Sequence, residues 1–171
     1  LNAPKLAGQE GWYLRRQLEY YQSGARGTHK DDVYGKQMAP MVATLTNKEA
    51  VENVVAYITS LPDRPPEHTV QGDIESGKDI WTTCGNCHGW QGEGRAALNA
   101  PRQAGMNDWY MVTQLKNFRN GVRGAHDDDK YGMQMAMMAA ILQSDQRIND
   151  VVAYVNTLSG TKEKLEVAGR E

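Results

Sequence analysis

The sequence predicts an all-α protein built from two copies of one helical unit. Three observations carry that expectation. No stretch alternates apolar and polar residues as a half-buried strand would. Several segments place apolar residues at helical spacing. And the chain repeats itself: "LNAP" at Leu1–Pro4 returns as Leu98–Pro101, a shift of 97 residues. At that same shift, without a gap, Trp12 and Tyr13 match Trp109 and Tyr110, and Gln17 and Leu18 match Gln114 and Leu115. "GARGTHKDDVYGKQMA" (Gly24–Ala39) matches "GVRGAHDDDKYGMQMA" (Gly121–Ala136), and the agreement runs on to Leu61 and Leu158. A register held this long marks a duplicated unit.

The helices follow in order. In the first copy, Leu14, Leu18 and Tyr21 form an apolar stripe. Thr46-Asn47-Lys48-Glu49 has the spacing of a capping box ahead of a helix over about 49–61. "LPDRPPEHTVQG" (Leu61–Gly72) holds three prolines and little apolar content, so it reads as a semi-rigid linker. Ile80 and Trp81 lie on a helical stripe that runs into "CGNCH", Cys84–His88. Met111, Leu115 and Phe118 repeat the first stripe, and Gly121 sits where that helix should stop. Ser144 is a good N-cap for a last helix with Ile148, Val151, Val152 and Val155 on one face. The expected organisation is a partial unit over 1–61, a linker over 62–72, a complete unit over 73–160 and a polar tail over 161–171.

Composition narrows the function. The 171 residues are 40% hydrophobic with a net charge of −2, and no basic block is interleaved with aromatics. That argues against nucleic acid as a partner. No apolar run approaches the roughly 20 residues needed to cross a bilayer.

"CGNCH" carries the chemistry. Two thiols three positions apart on a helical turn reach two points of one planar ligand, and the next histidine can turn under the same ligand. Covalent attachment of haem requires this: two thioethers from Cys84 and Cys87, and the imidazole of His88 on iron. The rivals are less economical. A structural zinc site usually takes four Cys or His ligands, and the chain has two cysteines. A thioredoxin-like redox pair belongs in a βαβ setting, and a disulfide would leave His88 without a role. The second axial ligand is sought among Met133, Met135, Met137 and Met138. Only Met135 and Met138 have methionine at the equivalent position, Met38 and Met41, and Met135 is the preferred ligand. Arg123 and Arg119 are candidates to pair with haem carboxylates, with surface salt bridges as the equal alternative. Trp109, Tyr110 and Gln114 either line the haem edge or pack between helices. His29 and His126, each beside aspartates, are expected to lie in solvated loops, and His68 to be exposed.

These residues resemble the class I cytochromes c, and in their doubling the dihaem cytochrome c4-like proteins. "GKDIWTTCGNCHG" carries the family signature through Gly77, Trp81, Cys84, Cys87 and His88. "MAMMAAIL" resembles the segment of the axial methionine, which places Met135 in that role. "VVAYV" resembles the terminal helix, whose Tyr154 should pack across Gly77 and Trp81. Pro101 resembles the proline whose carbonyl accepts the proton of the axial histidine. The resemblance implies tandem cytochrome c-like domains, the first without its haem-attachment helix in this chain. It implies electron transfer by haem c with His/Met ligation, redox-protein partners such as an oxidase, reductase or dehydrogenase, and a bacterial periplasmic location, free or with a membrane complex. A similar module belongs to some terminal-oxidase and dehydrogenase subunits, which is the alternative. The resemblance implies one covalently attached haem in this chain. A second is expected in the natural protein, from a motif upstream of Leu1, with Met38 as its ligand.

Overall fold

The computed structural model describes residues 3–161. The expected tail therefore lies, save for Thr161, outside the described residues. Among the described residues seven α-helices form: α1 (Gly11–Ser23), α2 (Val33–Val42), α3 (Lys48–Ser60), α4 (Ile74–His88), α5 (Asp108–Arg119), α6 (Lys130–Ala139) and α7 (Asp145–Val155). Among the described residues there is no β-strand. A lone antiparallel bridge joins Arg95 to Ala100 beside a 3-10 turn, Ala96–Leu98.

The helices α1, α3, α4, α5 and α7 form where the apolar periodicity places them. One detail differs from the sequence reading, and one is not given by it. The cap of α3 is Asn47, not Thr46: its side chain accepts from the Ala50 amide at 2.8 Å. And the methionine-rich segments are themselves helices, α2 and α6. Each starts on a buried aspartate, Asp32 or Asp129, whose carboxylate accepts from the amide of Gly35 at 2.9 Å or Gly132 at 2.8 Å. A side chain at either glycine would strike that carboxylate, so glycine is required three residues into the helix.

Two apolar cores result. In the C-terminal half, Ile80 and Trp81 of α4 meet Met111 of α5, Leu142, and Ile148, Val151, Val152 and Val155 of α7. In the N-terminal half, Leu14 and Leu18 of α1 meet Val42 of α2 and Val51, Val55 and Ile58 of α3. Tyr154 and Cys84 pack onto the first core. Helix α4 crosses α7 at close range. A Cβ on Gly77 would collide with the Asp150 carbonyl and lie 2.8 Å from the Tyr154 Cβ. Asp150 secures the crossing, accepting from the Asp73 amide at 2.8 Å and the Ser76 hydroxyl at 3.0 Å.

The proline-rich segment lies as a strap fastened at two places. Asp63 pairs with Lys5 at 2.5 Å and Arg102 at 2.9 Å. Asp108, 0% exposed, accepts from the amides of Thr69 (2.5 Å), Val70 (2.8 Å) and Trp109 (2.6 Å), and from Asn156 Nδ2 (3.3 Å). It thus binds the strap to the start of α5 and the end of α7. Burial would push its carboxyl up, but the amides of Val70, Thr69 and Trp109 outweigh burial and hold it below the usual carboxylate range. A depressed folded-state pKa contributes stability that is complete above the unfolded value, about 3.9, and is lost as pH falls through the folded value. Asp108→Ala is expected to cost about 2–3 kcal/mol near neutral pH, from the unmet amides. Denaturant unfolding at pH 7 and below pH 4 should show the gap between the two proteins narrowing with acid.

Candidate functional site

The cysteine–histidine motif ends α4. This helix buries Gly77, Ile80, Trp81, Gly85 and His88, a stripe at three- and four-residue spacing that turns the last histidine inward. Gly89, with φ 84°, stops the helix just after it. Cys84 is half-buried and Cys87 exposed. Burial pushes the Cys84 thiol up to about 11. Such a thiol stays protonated at neutral pH, which does not suit a redox or nucleophilic cysteine.

His88 Nδ1 donates to the Pro101 carbonyl at 2.7 Å. Burial pulls the ring below its ordinary value, against the opposing effect of that bond, so it is neutral at pH 7. With the proton fixed on Nδ1, the Nε2 lone pair is left for a ligand bond. Gln103 Nε2 also donates to the Pro101 carbonyl, at 3.2 Å, and so helps hold the acceptor in place.

His88 and Cys84 open onto a cavity of about 490 Å³, within the roughly 300–1,000 Å³ usual for cofactor and ligand pockets. Met135, Pro101, Trp109, Tyr110, Gln114 and Arg123 all line it, whereas Cys87 is exposed and not part of its wall. Met133, Met137 and Met138 are not part of its wall; Met137 and Met138 are 67% and 40% exposed. The donor set suits haem: an apolar wall, an imidazole nitrogen, a thioether, the Cys84 thiol with a second thiol three residues on, and buried arginine Nε atoms without partners (Arg16, Arg26 and Arg123) that suit its carboxylates.

Arg119 does not join them. It pairs with Asp145 at 2.7 Å and donates to the Leu142 carbonyl, which is the surface alternative for that residue. His29 and His126 face each other's loops across a separate cleft of about 190 Å³. In each, Nδ1 accepts a backbone amide at 3.2 Å, from Asp31 or Asp128, as suits a hydrogen-bonded loop residue. No group of three His, Cys, Asp or Glu side chains is gathered for a metal among the described residues. His68 is exposed.

The cavity continues into the N-terminal half, where Pro4, Tyr13, Gln17, Arg26 and Met38 line it. Sequence reasoning missed Tyr13, Gln17 and Arg26. The shift of 97 could have found them, since they are the counterparts of Tyr110, Gln114 and Arg123.

The cytochrome c family model matches residues 74–159, the part of the chain that holds α4 to α7. The chain belongs to the cytochrome c family. It is similar along nearly its whole length to cytochrome c4 proteins. Cytochrome c4 of Stutzerimonas stutzeri is 33% identical, over 92% of this chain and 77% of that protein. A thiosulfate dehydrogenase electron acceptor of S. stutzeri strain A1501 is 29% identical, over 88% of this chain and 68% of that protein. The solved cytochrome c4 of Acidithiobacillus ferrooxidans superposes with a TM-score of 0.72 at 27% identity, over 91% of this chain and 88% of that one. The protein is thus an all-α cytochrome that carries covalently bound haem c. Its work is electron transfer with redox partners, not turnover of a substrate. No helix among the described residues is long and apolar enough to cross a membrane.

Proposed function

We propose that Cys84 and Cys87 hold the haem through thioether bonds, with His88 Nε2 and Met135 Sδ as the axial ligands of its iron. The haem supplies the one-electron change between ferric and ferrous states. The chain supplies ligands and burial. Pro101 fixes the His88 ring and raises its basicity. The thioether of Met135 favours the ferrous state and so a high potential, as suits a carrier. Trp109, Tyr110 and Gln114 close the pocket wall, and Arg123 meets a haem carboxylate. The observation that carries this reading is the one cavity that brings a neutral, oriented histidine from α4 together with a half-buried methionine from α6.

The same reading extends to the N-terminal half. There α3 exposes the face that α7 buries. Tyr57 is 67% exposed and Asn53 and Ala56 are exposed, whereas their counterparts Tyr154, Asp150 and Ala153 lie under α4. A helix equivalent to α4, bearing a further Cys-x-x-Cys-His, would cover that face. Met38 and Pro4 already line the cavity in the places matching Met135 and Pro101. The natural protein would then hold two haems, Met38 ligating the second. We place it in the bacterial periplasm, where haem is joined to such motifs, free or attached to a membrane complex. A dehydrogenase or reductase would donate and an oxidase accept; similarity to the electron acceptor of a thiosulfate dehydrogenase supports the first of these.

Acid–acetone extraction of the natural protein tests both parts. The colour is expected to stay with the chain, Cys84 and Cys87 to resist thiol reagents, and a pyridine haemochromogen assay to count two haems per chain. Haem released into acetone would overturn the attachment. One haem per natural chain would leave the N-terminal half as a docking or structural unit.

A further inference from the structure

Two guanidinium groups meet where the halves join. Arg26 is 8% exposed and Arg123 7%. Arg26 Nη1 donates to Gln17 Oε1 in its own half, at 2.8 Å. Its Nη2 crosses to the Tyr110 hydroxyl at 2.7 Å and to Gln114 Oε1 at 3.3 Å. Arg123 mirrors it. Nη1 donates to Gln114 Oε1 at 2.8 Å, and Nη2 crosses to the Tyr13 hydroxyl at 3.0 Å and Gln17 Oε1 at 2.7 Å. Each lies over an aromatic ring of its own half, Arg26 on Tyr21 and Arg123 on Phe118.

Every acceptor in this lattice is neutral. Neither arginine has an ion pair among the described residues, and the Nε of each is buried without a partner. Within the chain the two buried cations are served only by amides and phenols, so in the cavity that all six residues line their positive field acts on the haem and its carboxylates. Tyr13 registers that field. Burial would push its phenol up, yet Arg123, Arg26 and Arg16 together bring it below the ordinary value.

We propose that Arg26, a residue of the N-terminal half, raises the reduction potential of the haem held by Cys84, Cys87 and His88 in the C-terminal half, held in position by its crossing bonds to Tyr110 and Gln114. Ferric haem carries one more positive charge than ferrous haem. A fixed cation in a poorly screened interior therefore penalises the ferric state more. Sequence comparison of the copies assigns Arg26 to the other half's site; the crossing bonds bring it to this one. The inference rests on the reading that this haem occupies the shared cavity.

Potentiometric titration of the haem bands in the holoprotein tests it. Where two waves occur, the relevant one is the wave that Met135→Ala displaces. Arg26→Gln is expected to shift that midpoint downward, and Arg26→Lys, which keeps the charge, to retain most of it. Arg15→Gln removes a charge from the same helix that pairs with Glu52 at the surface, and should leave the midpoint in place. An unmoved or raised midpoint in Arg26→Gln, or an equal shift in Arg15→Gln, overturns the proposal. If Arg26→Gln does not accumulate with attached haem, Gln17→Glu is the second arm. Its carboxylate would sit against both guanidinium groups, cancel their field and lower the same midpoint; no lowering overturns the proposal. Colour that leaves the unaltered protein on extraction would instead defeat the attachment on which the inference rests.

Discussion

Met135→Ala is expected to abolish the weak iron–sulfur charge-transfer band and to lower the reduction potential by roughly 0.1–0.3 V, part of the ~0.8 V over which axial ligands range. The reason lies in how α6 is turned. Asp129 caps its start and fixes the rotation of the helix, Ala139 is buried beneath it, and Met135 faces the cavity that His88 also faces. Its methionine neighbours point elsewhere. Met138→Ala should therefore keep the band, because Met138 is 40% exposed and off the cavity wall. Absorption spectra of the two variants, each with attached haem, decide between them. A band that survives in Met135→Ala moves the ligand to another methionine of the run.

Gly77→Val is expected to be strongly destabilising. The α4–α7 crossing is backbone against backbone at Gly77, and a branched side chain there would meet the Asp150 carbonyl. Relief requires α4 to lift from α7. That would loosen Trp81, Ile80, Val151 and Val152 and break the bonds of Asp150 to Asp73 and Ser76. Overpacking of this kind costs on the order of 3 kcal/mol or more. The same displacement moves His88 away from Pro101, so the yield of attached haem should fall along with the unfolding midpoint. Wild-type stability with full haem attachment would show that the crossing is looser than these contacts imply.

What the sequence discloses depends on how local each determinant is. The stripes of α1, α3, α4, α5 and α7 could be read because one face of each is apolar at helical spacing. Helices α2 and α6 could not. Their methionines fall on several faces, Pro40 lies within α2, and their starts depend on buried aspartates whose partners are the glycines three residues on. The cysteines and His88 are adjacent, so their arrangement was visible. Pro101 and Tyr154 enter through family likeness; the Pro101 carbonyl accepts from His88, and Tyr154 packs on the core beside Gly77. The crossing arginines were hidden for a different reason. Arg123 looked like a partner for haem carboxylates or a surface cation, and Arg26 like nothing in particular. Their meaning arises only when two segments 97 residues apart in the chain are brought face to face.

The lattice of Arg26, Gln17 and Tyr13 with Arg123, Gln114 and Tyr110 has the form of a two-fold homodimer interface. Each residue binds the counterpart of its own neighbours, so the surface is complementary to itself. A single unit bearing this surface could have paired with an identical unit before any duplication. Joining the two copies in one chain makes the pairing permanent and independent of concentration. It also frees matching positions to differ. Gln9 and Met106 are equivalents in sequence, yet one donates to the other's sulfur at 3.3 Å, a contact that no exact dimer could make twice. Fusion thus turns a symmetric assembly into a molecule with two distinguishable ends.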